Sequence, residues 1–126
     1  MNEKFLDDDI ISNLKELGNG DGDFSNRLLI VQLMNLYIEN LPERMLDITN
    51  GVNKKDPRLI ELSAHSLKSS SQLIGLTKLA VDCQALEDLG FSKNLEKCDE
   101  FYIKIEHTTK KIVDVLKNKI IELEQR

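Results

Sequence analysis

Tryptophan is absent from this 126-residue chain, and aromatic residues make up only 5% of it. There are two prolines, two cysteines, two histidines and six glycines. Each shortage excludes something. Two cysteines, Cys83 and Cys98, with no Cys-x-x-Cys pair and no Cys/His zinc spacing, rule out a disulfide scaffold and a zinc module. They read as free thiols. The longest apolar run, Leu28 to Val31, is far too short to span a bilayer, and Met1-Asn2-Glu3-Lys4 lacks the layout of a secretory signal. The expectation is a cytoplasmic protein with no membrane partner. There is no basic excess either: 17 Lys+Arg stand against 22 Asp+Glu, for a net charge of −5. Nucleic-acid binding needs clustered positive charge, so it is not expected. No P-loop or glycine-rich nucleotide motif occurs. Strict β alternation is nearly absent as well.

What is present is helical periodicity. Apolar residues recur at spacings of three and four, and turn signals cut the chain into helices with short links, so neighbours should run antiparallel. Asp7, Asp8 and Asp9 open a helix that Gly18 ends, with Leu6, Ile10, Leu14 and Leu17 as its stripe. Ile11 lies off that stripe and is a candidate docking residue. Asn19 to Asp23 alternates acidic residues as a calcium loop would. An EF-hand starting at Asn19 needs a carboxylate at position 30, and Ile30 stands there, so a solvated turn is expected.

A long helix follows from near Asp23, through Phe24, Leu28, Val31, Met34, Ile38, Leu41 and Met45. Pro42 should kink or restart it, and Asn50-Gly51 should end it. Leu29, Leu33 and Leu36 fall on its other side, so it is either sandwiched between neighbours or offers a partner surface. Asp56-Pro57 starts the next helix, which Gly75 stops. Another begins near Thr77 and should end at Leu89-Gly90. The last runs from about 94 to 125 with the seam Leu95, Cys98, Tyr102, Ile105, Thr109, Ile112 and Leu116. The expected fold is all-α: one domain over residues 1–126, an antiparallel four-helix bundle with an N-terminal capping helix.

Segment 57–74 carries the chemistry. At 100° per residue, Leu59, Leu62, Ser63, Ser66, Leu67, Ser70, Leu73 and Ile74 fill one side. Glu61, His65, Lys68 and Gln72 fill the other, with Ser69 at the margin beside His65. This spacing predicts an exposed His65. The inward serines read as packing residues that bond carbonyls one turn back. In the following helix Leu76, Leu79, Ala80, Cys83 and Leu86 form the apolar face, and Glu87 falls at its edge. A carboxylate there needs a partner. Glu87 lies near the level of His65, so that partner is His65, a lysine or the backbone.

The run His65-Ser66-Leu67-Lys68-Ser69-Ser70-Ser71-Gln72-Leu73-Ile74-Gly75, followed by Leu79, Cys83 and Leu86-Glu87, resembles the histidine-containing phosphotransfer (HPt) domain of multistep two-component phosphorelays. That family's pattern reads His-x-Leu-Lys-Gly-Ser-x-x-x-x-Gly, so Ser69 stands where the family has glycine. Tyr37 to Arg44 and Phe5-Leu6-Asp7 also look like family segments, and the resemblance covers nearly the whole chain. It implies that His65 is the phosphorylated nucleophile, that Lys68 neutralises phosphoryl charge, and that Glu87 orients the imidazole. It implies docking of response-regulator receiver domains, or of a hybrid sensor histidine kinase, on helices within about 7–90. Ser69, Gln72 and Ile11 are candidate contacts. The chain would be a monomeric, stoichiometric phosphate carrier, not an ATP-dependent kinase. It would hold no cofactor of its own, with magnesium on the partner receiver.

Two other classes compete. One is a non-catalytic helical adaptor module, which would need heptads that Thr109 and Lys119 interrupt. The other is a metal bundle built on Glu61, His65 and Glu87, but the required Glu-x-x-His repeat is missing. His107, among charged neighbours of the last helix, reads as a surface residue.

Overall fold

The computed structural model describes residues 23–125, with side chains from Arg27 onward. The expected helix from Asp7, the loop beginning at Asn19, and Ile11 lie outside the described residues. Within them the chain forms α1 (Asp23–Lys54), α2 (Pro57–Leu73), α3 (Thr77–Ser92), a 3-10 turn (Leu95–Lys97) and α4 (Cys98–Glu124). Links this short force consecutive helices to run antiparallel. α2 packs on α1 and α3, and α4 packs on α3 and α1, which closes a four-helix ring. No strand occurs among the described residues. No helix there is long and apolar enough to cross a membrane.

Each helix sends its apolar stripe into one core. α1 contributes Ile30, Met34 and Ile48; α2 contributes Ile60, Ala64 and Leu67. Leu79, Cys83 and Leu86 enter from α3, and Ile105, Ile112 and Leu116 from α4. Each large aliphatic side chain buried this way contributes roughly 1.5–3 kcal/mol. The buried hydroxyls are matched: Tyr37 of α1 and Ser71 of α2 share a hydrogen bond of 2.9 Å. Burial pushes the Tyr37 phenol above its usual range, so the tie stays neutral.

The three helix ends share one solution. At each, two backbone N–H groups fold back in the Schellman pattern. Asp56 N–H donates to Gly51 O and Lys55 N–H to Val52 O; Leu76 and Gly75 repeat this onto Ser71 and Gln72; Asn94 and Lys93 onto Leu89 and Gly90. The pivot residue must be left-handed in each case. Gly75 does this at φ 83°, whereas Lys55 at 52° and Lys93 at 61° carry a side chain there. Asp56 then caps α2 by accepting from Leu59 N–H at 3.2 Å, ahead of Pro57.

Three expectations need correcting. Gly51 and Gly90 do not end their helices; both sit inside them, buried, where another helix comes close. A Cβ on Gly90 would lie 2.7 Å from the backbone nitrogen of Glu61 and 2.9 Å from the Pro57 carbonyl oxygen. Glycine here serves approach, not termination. Secondly, α1 runs on through Pro42 without restarting; the residue is exposed, so its ring displaces no core side chain. Thirdly, the inner face of α2 is turned from the leucine-rich side. Ile60, Ser63, Ala64, Leu67 and Ser71 are buried, while Leu62 and Leu73 are about half exposed. α2 is wedged between α1 and α3, and small residues fit that gap where leucines would not. The leucines of α1 also divide: Leu33 packs on the core, and Leu36 is exposed.

Gly90→Ala should destabilise the fold by about 1–3 kcal/mol, because rigid backbone faces the new methyl group. Lys93→Gly should stabilise it by about 0.5 kcal/mol through relief of the left-handed pivot. Urea unfolding of both variants checks the signs.

Candidate functional site

The α2–α3 hairpin pivots at Gly75 and brings polar side chains together as rungs. His65 and Glu87 form one rung, Lys68 and Gln84 the next toward the turn. His65 projects into solvent, with its side chain 56% exposed. Its Nδ1 lies 3.1 Å from Oε1 of Glu87. Lys68 Nζ lies 2.9 Å from the same oxygen and donates to Oε1 of Gln84 at 2.8 Å. Of the three partners left open for Glu87, two are realised together, since one carboxylate oxygen serves the histidine and the lysine.

The rotation of α2 explains the difference in depth between those residues. Lys68 was expected on the same polar face as His65, but its side chain is only 13% exposed. Its stem runs along the α2–α3 seam and only its head reaches the site, as long cationic side chains commonly do. An ammonium at that depth needs acceptors, and Glu87 and Gln84 provide them. Burial pushes the Glu87 carboxyl up, but hydrogen bonds and charge from Lys68 and His65 outweigh this and hold it below the ordinary glutamate value. Glu87 is therefore a carboxylate at neutral pH and can only accept. Nδ1 of His65 must then carry the hydrogen, which in the neutral ring leaves the lone pair on Nε2. Such an imidazole is aimed outward and is nucleophilic at one defined nitrogen.

Among the described residues, no nearby group competes for that role. Cys83 is fully buried beneath the site, and burial above all, with the charge of Asp82, pushes its thiol up to about 12. It remains a protonated packing residue, and both cysteines are free thiols. Ser63 donates to the Leu59 carbonyl at 2.6 Å and Ser70 to Ser66 at 3.2 Å, the one-turn-back bonds expected of them. Glu61 turns away to Arg58 at 3.1 Å and takes no part. Among the described residues, no group of three or more His, Cys, Asp or Glu could hold a metal ion. Ser69 and Gln72 are exposed on the same helix. Ile11 lies outside the described residues.

Sequence reading missed Gln84 and Asp88. Gln84 Nε2 donates to Asp88 Oδ1 at 2.8 Å, while its oxygen faces Lys68. The available signal was spacing: Gln84 precedes Glu87 by three and Asp88 by four, which places all three on one side of α3.

Comparison with known proteins bears on this arrangement. The family model of the Hpt domain matches residues 32–125. The phosphorelay intermediate protein rdeA of Dictyostelium discoideum is 25% identical over 113 residues, covering 90% of this chain and 41% of that protein. The chain thus spans less than half the length of that relative. The crystal structure of histidine-containing phosphotransfer protein B (HptB) from Pseudomonas aeruginosa PAO1 is similar with a TM-score of 0.79 at 19% identity. The match covers 96% of this chain and 98% of that one, and at this identity it shows a shared fold.

The Glu87 carboxyl titrates lower folded than unfolded, so the pair stabilises the fold above the unfolded value, and that contribution is lost as pH falls through the folded one. Glu87→Gln should therefore cost about 1 kcal/mol at pH 7 and progressively less as pH falls below the ordinary glutamate range. Denaturant midpoints of both proteins across that range would show the gap closing. A gap that stays constant would mean Glu87 is not held by charge.

Proposed function

This chain belongs to the Hpt domain family, and on that footing we propose that it carries phosphoryl groups on His65 within a phosphorelay. The observation that supports this best is the exposed imidazole whose Nδ1 is tied to Glu87, so that Nε2 is open. In this reading a receiver domain bearing a phospho-aspartate docks over the exposed side of α2. Leu62, Leu73 and Ser69 flank His65 there and offer apolar and small contacts.

Transfer would proceed in line. The Nε2 lone pair attacks phosphorus, the N–P bond forms, and the bond between phosphorus and the aspartyl oxygen breaks. The electron pair leaves on the aspartate carboxylate. The ring, now substituted on Nε2 and still protonated on Nδ1, carries a positive charge that the Glu87 carboxylate offsets. No proton needs to leave, so the step reverses readily onto a second receiver. Lys68 offsets charge on the phosphoryl oxygens. Magnesium, in this reading, resides on the receiver. The chain acts as a stoichiometric carrier between receivers, not as a source of phosphate.

Incubation with a phosphorylated receiver should place an acid-labile, base-stable phosphoryl group on this chain, and His65→Gln should abolish it. Label retained by that variant would sink the assignment. Lys68→Ala should slow single-turnover transfer about tenfold, with the far-UV spectrum unchanged.

A further inference from the structure

Lys68 is held more firmly than charge neutralisation alone requires. An ammonium has three N–H donors. One meets Glu87 at 2.9 Å and another meets Gln84 at 2.8 Å. Gln84 is itself aimed. Its Nε2 donates to Asp88 at 2.8 Å, and a carboxylate only accepts, so the Gln84 oxygen must point the other way, toward Lys68. The run Asp88–Gln84–Lys68–Glu87–His65 thus crosses between α3 and α2 three times with donors and acceptors matched at every joint.

We propose that Gln84, aimed by Asp88, is a positioning residue that fixes the Lys68 ammonium beside His65 and leaves its third N–H for the phosphoryl oxygens. The inference deepens the proposed function and rests on His65 being the phosphoryl acceptor. Its physical basis is entropy. A free lysine side chain gives up much of its rotamer freedom when it is fixed. Here that loss is taken on folding, so little remains to be lost as transfer begins. With the Gln84 oxygen removed, Glu87 alone anchors the ammonium. The net charge of the site is unchanged, so receiver docking should be unaffected.

Three variants of the full chain test this. Gln84→Met keeps the side-chain length and removes the oxygen. Gln84→Glu loses the hydrogen bond to Asp88 but keeps an oxygen toward Lys68, now as a charged acceptor that the ammonium itself holds in place. Asp88→Ala removes the group that aims Gln84 and alters an exposed position. The first readout is the side-chain ammonium resonance of Lys68 in the unphosphorylated protein, assigned with Lys68→Arg. It should exchange slowly in the wild type, be lost in Gln84→Met, weaken in Asp88→Ala and persist in Gln84→Glu. The second is single-turnover transfer from a phosphorylated receiver. Gln84→Met should lower the maximal rate about fivefold, the equivalent of one ordinary hydrogen bond, at an unchanged half-saturating receiver concentration. Gln84→Glu should stay within about twofold of wild type.

An unaltered Lys68 resonance in Gln84→Met overturns the proposal. So does a change in half-saturating concentration at constant maximal rate, which would make Gln84 a docking residue. Should Gln84→Met fail to fold, an unaltered Lys68 resonance in Asp88→Ala overturns it instead. If His65 is not the acceptor, either the wild type takes no label or His65→Gln keeps it, while the ammonium resonance still reports on Gln84. The two failures are therefore separable.

Discussion

A single carboxylate oxygen, Oε1 of Glu87, takes hydrogen bonds from both His65 and Lys68, and it can do so only while α2 and α3 hold one register. The hairpin between them works like a ladder. Near the turn, Lys68 meets Gln84; next, His65 meets Glu87; farther on, Gly90 touches the backbone at Glu61 and Pro57. A shift of one residue along either helix turns each polar group by about 100° and separates all three contacts. The Gly75 pivot fixes where the ladder starts, and the Gly90 contact fixes how closely the rails approach. The glycine-dependent parts of the fold are therefore also what the chemistry depends on, although no glycine touches the imidazole.

The site lies at a boundary between core and solvent, and that location sets its energetics. In the core beside Cys83, a carboxylate and an ammonium would each lose hydration that their attraction could scarcely repay. Fully in water, their attraction would be screened to almost nothing. At the rim of the α2–α3 seam the lysine stem is covered and the charged heads retain partial access. Lys68 is the most enclosed of the three, which is why it has two acceptors, and His65 is the most open, which is why one of its nitrogens has no call on it from within the site. Depth within the seam thus sorts the three groups: an anchored cation, a shared anion and an outward imidazole.

Helical period alone made much of this legible. It separated His65 from the core side of its helix and put Glu87 at the margin of the next, because both inferences need only an angle of 100° per residue. The all-α bundle followed from the same spacing and from the short links. What period could not resolve was the exact facing of α2. Leucines outnumber other apolar residues on one side, which by period alone marks that side as inner, yet the gap between α1 and α3 admits Ala64, Ser63 and Ser71 and leaves Leu62 and Leu73 outside. That choice depends on interhelical distance, which no single segment encodes. Gly51 and Gly90 were misread for a related reason. A glycine near the end of a pattern signals either a stop or a close approach, and only the neighbouring helix distinguishes them. The helices then stop a few residues later on Lys55 and Lys93, residues with no sequence signal for a left-handed turn.

Ser69 shows how far fold and docking can be separated at this site. It replaces the glycine of the family pattern, but it lies inside a regular helix, where backbone geometry does not require glycine. It is exposed, so its hydroxymethyl group displaces nothing in the core. Gly90 is the opposite case: there a single methyl group would strike the backbone of α2. The same substitution of a small side chain for glycine is thus structural at position 90 and external at position 69. Any consequence of Ser69 must arise in the space above α2, where the partner's surface would meet His65, and not within the bundle. The bundle fixes where the imidazole is and which nitrogen is open; under the proposed function, the surface around Ser69 would govern what can come close enough to use it.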